Sequence, residues 1–125
     1  GVFRYLSKQP DHPQYLLRML GVFWDADHMW LVTDFCEGGD LFDAVNRRGR
    51  FDEAHAKQHS WEILQAVSYL HRHSIGHRDL SLENILLKGG SVRVMDFGMS
   101  VRSHLPCGTE LRYFSPVGKD SCRAP

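Results

Sequence analysis

The feature that most constrains this chain is a pair of glycines, Gly89 and Gly90, between two short apolar stretches. Two adjacent glycines favour a two-residue hairpin turn, because both central residues of such a turn adopt positive φ. A turn of this length also fixes the register of the flanking strands. The expected pairs are Lys88 with Ser91, Leu87 with Val92, Leu86 with Arg93, and Ile85 with Val94. Asn84 then faces Met95, and Asn84 and Asp96 meet at the open end of the hairpin.

An amide and two carboxylates are expected at that open end. Asn84 and Asp96 offer oxygen ligands to a hard cation, and Mg²⁺ keeps few protein ligands while it bridges to substrate phosphates. Asp79 precedes Asn84 by five residues, close enough to act as a base on a hydroxyl near that metal. These residues therefore predict a magnesium site beside a general base.

Helix and strand signals along the rest of the chain predict an α+β fold. The expected elements are the end of a helix within Gly1 to Pro10, strands over Leu16 to Trp24 and Met29 to Phe35, a short helix from Asp40 to Gly49, and a long helix from Asp52 to His73. Asp40 is expected to open the short helix and Gly49 to end it. Met99 to Pro125 has no hydrophobic period and is predicted to be a long loop.

Composition limits the class of protein and its partners. The chain has 125 residues with 15 basic and 15 acidic side chains, so we expect one domain at most and a formal net charge of zero. A chain that binds nucleic acid usually carries excess Lys and Arg, so no nucleic-acid partner is expected. No apolar run approaches the ~20 residues that cross a bilayer, so no membrane anchor is expected. Three cysteines without C-x-x-C spacing favour an intracellular location, cytoplasmic or nuclear.

Two motifs stand on either side of the hairpin: His77-Arg78-Asp79-Leu80-Ser81-Leu82-Glu83-Asn84 and Asp96-Phe97-Gly98. In these motifs the chain resembles the eukaryotic protein kinase family, serine/threonine type, whose catalytic loop reads H-R-D-L-x-x-x-N and whose metal loop reads D-F-G. The resemblance continues at both ends. His12-Pro13 looks like the turn after the family's helix C, and Arg123-Ala124-Pro125 looks like the approach to its A-P-E triplet.

The resemblance implies an incomplete protein-kinase-like fold. It would contain the end of helix C, strands 4 and 5, the hinge, helices D and E, the catalytic-loop hairpin and the activation segment. On this map residues 1–33 are a remnant of the N-lobe, 34–40 are the hinge, and 41–125 are the first half of the C-lobe through the activation segment.

The resemblance also assigns roles in the catalytic loop, with ATP and Mg²⁺ as cofactors and a Ser or Thr hydroxyl of a protein as acceptor. Asp79 would accept the hydroxyl proton, while Asn84 and Asp96 would hold magnesium. His77, Phe97 and Gly98 would be structural supports. Arg78 would bind a phosphate on the activation segment, because a buried guanidinium requires an anionic partner. The candidate acceptors of that phosphate are Thr109, Tyr113 and Ser115.

The hinge pattern Leu31 to Leu41 assigns a nucleotide site by the same resemblance. Backbone groups of Asp34 and Cys36 would bond the adenine edge. Thr33 would be the gatekeeper residue, Leu86 the floor of the pocket, and Asp40 a ribose contact.

The chain departs from the family at two positions that appear exchanged. Ser81 stands where these kinases usually have Lys, and Lys119 stands where a Thr usually follows the glycine of the segment that leads to A-P-E. We expect Lys119 to reach back toward Asp79 and the γ-phosphate and so to restore the missing positive charge. The alternative is that Lys119 is a solvated loop residue and Ser81 merely weakens catalysis.

Three parts of the family pattern are not found in these 125 residues: the glycine-rich loop, the strand Lys and its helix-C Glu. The chain alone is therefore expected to be inactive and to expose apolar surface. Two other functions stay open. One is a pseudokinase or nucleotide-binding scaffold without transfer activity, which Ser81 favours and Asp79, Asn84 and Asp96 oppose. The other is a small-molecule phosphotransferase of the same superfamily, which Arg78 and the Arg-Ala-Pro ending oppose.

Overall fold

The computed structural model describes residues 1–104, 107–113 and 116–122. Ser115 and the Arg123-Ala124-Pro125 stretch lie outside the described residues. The elements follow in the order α1 (Val2–Leu6), β1 (Met19–Trp24), β2 (Met29–Thr33), α2 (Leu41–Arg48), α3 (Glu53–Arg72), β3 (Ile75–Gly76), β4 (Ile85–Lys88), β5 (Ser91–Val94) and β6 (Val101–Arg102). Short 3-10 turns occupy Leu82–Asn84 and Asp120–Cys122. The predicted α+β class is confirmed.

The β4–β5 hairpin has the register that the two glycines predict. Lys88 pairs with Ser91 and Ile85 with Val94, and both Gly89 and Gly90 have positive φ. The Met95 N–H donates to the Asn84 carbonyl over 2.9 Å and so extends the pairing by one residue. The end of the loop before β4 and the start of the loop after β5 therefore lie next to each other.

The two longer helices begin at the predicted aspartates. Asp40 caps α2 by accepting from the Asp43 N–H over 2.8 Å, and Asp52 caps α3 by accepting from the His55 N–H over 2.8 Å. Gly49 follows α2 with φ 77°, a conformation that glycine adopts without steric cost.

The β1–β2 hairpin is shorter than expected. Its strands begin at Met19 and end at Thr33 rather than running from Leu16 to Phe35. Leu16 and Leu17 instead join β5, because the Leu17 N–H donates to the Val94 carbonyl over 2.9 Å and the Val94 N–H donates to Tyr15 over 2.8 Å. The apolar run Leu16 to Trp24 is thus divided between two sheets: its first residues pair with β5, and Met19–Trp24 pairs with β2.

The core lies where α3 covers the β4–β5 hairpin. It is a cluster of buried side chains from the three helices, β3, the hairpin and the segments before β1 and after β5: Leu6, Leu16, Leu41, Ala66, Tyr69, Leu70, Ile75, Ile85, Val92, Val94 and Phe97. Glu62 of α3 is buried beside this cluster and accepts from the Val92 N–H over 2.8 Å. A strand donor that would otherwise be unsatisfied is therefore paired by the helix.

The predicted long loop after Met99 is partly wrong, because part of it is paired. β6 pairs with β3 through Ile75 with Arg102 and Gly76 with Val101, and the Ser103 N–H donates to the Ser74 carbonyl over 2.7 Å. A two-residue strand is too short to leave a period in the sequence. Within the described ranges, no helix combines the length and the apolar character needed to cross a membrane.

Candidate functional site

Asp79 and Asn84 lie together in the loop between β3 and β4. The Asn84 side chain donates from Nδ2 to the Asp79 backbone carbonyl over 2.8 Å and to the Asp79 Oδ2 over 2.9 Å. Asn84 is 8% exposed, and these two bonds engage its Nδ2 and so fix the orientation of its amide. Arg78, which directly precedes Asp79, has φ 69°. Residues other than glycine adopt this region at a cost of order 1–3 kcal/mol. The loop is held in an uncommon conformation that orients the Asp79 carboxylate.

The His77 ring links this loop to the residue that follows β5. Its Nδ1 accepts from the Asp79 N–H over 3.3 Å and its Nε2 faces the Met95 carbonyl at 2.9 Å, which assigns the proton to Nε2. Burial lowers the pKa of His77, although the Met95 bond and the charges of Asp79 and Asp96 raise it in part. The Phe97 ring lies 5.3 Å from the His77 ring in an edge contact, and both residues are buried.

Asp96, the second predicted magnesium ligand, follows Met95, whose N–H donates to the Asn84 carbonyl over 2.9 Å. Asp96 has φ 59°, and its Oδ1 accepts from the Gly98 N–H over 3.1 Å. A Cβ at Gly98 would also lie 3.1 Å from that oxygen, so a glycine suits this position. Within the described part of the chain, no group of three or more His, Cys, Asp or Glu residues could hold a metal. An amide oxygen and one carboxylate still fit Mg²⁺, which completes its six ligands with water and phosphate oxygens.

The hinge (residues 34–40) is fastened to the β4–β5 hairpin. The Gly38 N–H donates to the Leu87 carbonyl over 3.0 Å, and the Leu87 N–H donates to Gly39 over 2.8 Å. Two side-chain contacts add to this pairing: Lys88 Nζ lies 3.3 Å from Asp34 Oδ2, and the Gly89 N–H donates to Glu37 Oε1 over 2.6 Å. Glu37 and Lys88 were not among the predicted site residues.

The predicted nucleotide-site residues surround this junction. Leu86 forms an isolated antiparallel bridge with Asp40, which places it beside the hinge. The Thr33 hydroxyl donates to the Asp34 carbonyl over 3.2 Å, and burial raises the pKa of the half-buried Cys36 thiol. The Asp34 carbonyl keeps a second lone pair for an adenine donor.

A cavity of about 1260 Å³ includes Thr33 in its lining. It is bounded by α1, the β1–β2 hairpin and the Asp96-Phe97-Gly98 loop. Of the predicted nucleotide and metal residues, only Thr33 and Asp96 line it. The cavity therefore meets the predicted nucleotide and metal residues only at Thr33 and Asp96.

Lys119 contacts Glu83, a residue of the catalytic loop that was not among its expected partners. Its Nζ forms an ion pair with the Glu83 carboxylate, and the hydrogen bond from Lys119 is the main cause that holds the pKa of Glu83 below its ordinary value. The hydrogen bond to Glu83 likewise raises the pKa of Lys119, and the negative charge of Asp79 adds to that effect. The ammonium thus lies in the field of Asp79 while it bonds to Glu83.

Ser81 and Gly118 lie next to the Lys119–Glu83 contact. Ser81 is 6% exposed and its hydroxyl makes no hydrogen bond of good geometry to a described residue, although it is near enough to Glu83 to lower the pKa of that carboxyl. Gly118 has φ 82°, and a Cβ there would clash with the Arg78 carbonyl. The segment before Lys119 therefore packs directly on the catalytic loop. Neither Gly118 nor Glu83 was predicted as a site residue, since the contact joins distant parts of the chain.

The predicted phosphate-binding residue Arg78 is half-buried, not buried. Its guanidinium carbon lies 5.3 Å from the centroid of the Tyr113 ring. Thr109 is exposed and its Oγ1 lies 3.3 Å from Cys107 Sγ. Of the two described acceptors, Tyr113 therefore contacts Arg78.

Comparison with known proteins agrees with this geometry. The family model of the protein kinase domain matches residues 4–125. The chain is 39% identical over 100 residues to the cAMP-dependent protein kinase catalytic subunit of Schizosaccharomyces pombe, a match that covers 79% of the chain and 19% of the relative. It is 36% identical over 113 residues to Aurora/IPL1-related protein kinase 2 of Caenorhabditis briggsae, covering 84% of the chain and 36% of the relative.

The name of a third relative states a serine/threonine specificity. The chain is 38% identical over 94 residues to serine/threonine-protein kinase SIK1 of Rattus norvegicus, covering 74% of the chain and 12% of the relative. The chain thus spans well under half the length of these curated relatives. The matched family model and the incomplete α+β fold lead to one conclusion: this chain belongs to the protein kinase family.

Proposed function

We propose that this chain supplies the catalytic loop of a protein serine/threonine kinase, which transfers the γ-phosphoryl group of ATP to Ser or Thr hydroxyls of protein substrates. The observation that carries the proposal is the Asn84 side chain, which donates to Asp79 twice at the end of a hairpin that also leads to Asp96. Phosphoryl transfer depends mainly on positioning and charge neutralisation; this arrangement would supply the positioning, and Mg²⁺ and Lys119 would supply the positive charge.

Asp79 would accept the proton of the substrate hydroxyl, since its carboxylate is oriented by Asn84 and its backbone by His77. Asn84 Oδ1 and Asp96 would hold Mg²⁺, which when bound neutralises charge on the phosphates. The Asp34 carbonyl and the Cys36 N–H would bond the adenine edge. Thr33, Leu86 and Asp40 would border the base and the ribose.

Lys119 would place positive charge near the transferring phosphoryl group in place of the Lys that Ser81 replaces. Support comes from the interaction of Lys119 with the Asp79 charge and from its attachment to Glu83 on the catalytic loop. Preorganised charges of this kind stabilise the transition state without reorganisation.

Specificity for Ser and Thr is supported by Glu83, which is common at this position in serine/threonine kinases, and by the names of the relatives. An intracellular location and the inactivity of the isolated chain remain parts of the proposal. The three groups missing from this segment bind and orient the ATP phosphates in the family.

A nucleotide-binding scaffold without transfer is the second candidate, and one observation favours it. Lys119 is paired with a carboxylate, so the pair is neutral overall and provides less net positive charge than a free ammonium would.

The test is a transfer assay on the full-length protein that carries this chain, with γ-labelled Mg-ATP and separate Ser, Thr and Tyr peptide pools. We expect label on Ser and Thr peptides, with no label in the Asp96→Asn variant. Label confined to Tyr peptides would overturn the specificity. A thermal shift with Mg-ATP but no label in any pool would establish the scaffold instead.

A further inference from the structure

Arg78 has an aromatic partner where an anionic one was expected. Its guanidinium carbon lies 5.3 Å from the centroid of the Tyr113 ring, within the range of a cation–π interaction. No ion pair between described residues includes Arg78. The face of Tyr113 is therefore the partner that the described residues provide for this cation.

The Tyr113 ring is itself held in place. Its hydroxyl donates to the Arg102 carbonyl over 3.0 Å, and Arg102 belongs to β6, which pairs with β3. The Arg102 guanidinium carbon lies 4.4 Å from the centroid of the Tyr5 ring at the end of α1. A continuous set of contacts thus runs from α1 through β6 and Tyr113 to the catalytic loop.

Backbone hydrogen bonds join described residues that lie on either side of positions 105–106. The Leu111 N–H donates to the Ser103 carbonyl over 2.7 Å, and the Ser103 N–H donates to Ser74 over 2.7 Å. His104 and Glu110 form an isolated antiparallel bridge. These contacts fix the backbone just before Tyr113, so the ring meets Arg78 at low entropic cost.

We infer that Tyr113 is a positioning residue, which docks the activation segment on the catalytic loop through the face of its ring and without a phosphate. The same segment brings Gly118 against the Arg78 carbonyl and Lys119 to Glu83. Release of Tyr113 would therefore loosen both of these contacts. Phosphorylation of Thr109 or Ser115 would add to this anchor and not replace it.

The test separates the ring's electrostatics from its size and its hydroxyl. Phenylalanine and 3,4,5-trifluorophenylalanine are placed at position 113 of the full-length protein; neither has a hydroxyl, and fluorination removes the negative charge of the ring face. Tyr113→Leu is the apolar control without a ring. The readout is the rate of trypsin cleavage after the exposed Arg112, followed by mass spectrometry, normalised to cleavage of the urea-unfolded protein, and measured after phosphatase treatment.

We expect the trifluorinated and Leu variants to be cleaved about two- to fivefold faster than the Phe variant, as the usual strength of an exposed cation–π contact predicts. In an Arg78→Gln background the fluorination effect should vanish. Equal rates for the Phe, trifluorinated and Leu variants would overturn the inference. So would loss of protection in the wild-type protein once phosphate is removed. Since cleavage needs no phosphotransfer, the result is independent of the proposed catalytic activity.

Discussion

The charge around Asp79 is set by side chains from two distant parts of the chain. Asn84 donates to its carboxylate from within the catalytic loop, and Lys119 adds a positive field from the activation segment while it bonds to Glu83. Asp79 therefore faces one neutral donor and one ion pair. A carboxylate in this environment is held in one orientation.

Removing Lys119 tests whether its charge acts on the reaction. In the full-length protein, Lys119→Ala should lower kcat about tenfold, less than the ~10²-fold typical of a buried donor because this ammonium is partly exposed. The KM for ATP should change little. The measurement is steady-state kinetics with Lys57→Ala, an exposed position on α3, as the control, and a kcat equal to that of the control would refute the role.

The sequence predicted Asp79, Asn84 and Asp96 as neighbours, because Asp79 is only five positions before Asn84 and the two-glycine turn fixes the register of the hairpin between Asn84 and Asp96. It did not predict the Lys119–Glu83 pair. That contact joins residues 36 positions apart in sequence through a segment with no hydrophobic period, and the φ of Gly118 that permits it is not encoded in any local pattern.

The hinge and the β4–β5 hairpin behave as one element. Gly38 lies so close to the hairpin that a Cβ would approach the Leu87 Cβ to 2.6 Å and the Leu87 carbonyl to 2.9 Å. The Lys88–Asp34 and Glu37–Gly89 contacts hold the two backbones together on either side. The hinge carbonyls proposed to meet adenine are thus positioned by the hairpin.

Gly38→Ala should push the hinge off the hairpin. Overpacking of this kind costs about 1–3 kcal/mol, and displacement of the hinge should raise the KM for ATP severalfold with a smaller effect on kcat. Gly76→Ala is the matched control, because a Cβ there meets only ordinary contacts at 3.9 Å. Unchanged ATP affinity in Gly38→Ala would show that the hinge is not positioned in this way.

The elements differ in how far the sequence determines them. Asp40, Gly49 and Asp52 mark the helix ends, since caps and stops are local chemistry. The start of β1 and the pairing of β6 were mispredicted, because Leu16 and Val101 find their partners in β5 and β3 through tertiary contacts that a local pattern does not specify.

The whole molecule carries an unusual amount of exposed apolar surface on the β1–β2 hairpin. Trp24 is 74% exposed, Phe23 61%, Leu20 60%, Met29 58% and Trp30 57%. Patches of this kind on a protein surface mark interfaces or drive association. These five side chains of the β1–β2 sheet therefore have no covering layer among the described residues.

The 125-residue chain expressed by itself should associate or unfold at low temperature. Size-exclusion chromatography with light scattering should show oligomers, and replacement of Trp24 and Phe23 by Lys should shift the distribution toward monomer. A monomeric wild-type chain with a sharp, cooperative melt would contradict this expectation.

Acid should destabilise the fold through two histidines. Burial lowers the pKa of His12 and of His77 below the ordinary value of 6.5, and the charge of Arg18 adds to the effect at His12. The unfolded chain then binds more protons than the folded one below pH 6.5, so stability is retained above that pH and falls as the pH decreases toward the folded-state pKa values.

The check is the Tm of the full-length protein between pH 7.5 and 5.5. His12→Phe should make the decline shallower, whereas the exposed His28→Asn should leave it as it is in the wild type. An equally steep decline in His12→Phe would exclude His12 as a contributor.

The other proposed roles depend on that of Asp79 as the base of a phosphotransfer site held by Asn84 and Asp96. Its most direct test is the single-turnover rate of γ-phosphoryl transfer from Mg-ATP in the full-length protein, compared between wild type and Asp79→Asn. The asparagine keeps an oxygen for the Asn84 bond, so the thermal shift with Mg-ATP should persist while the rate falls about 10²- to 10⁴-fold. Equal transfer rates in the two proteins would contradict the role of Asp79 as the base.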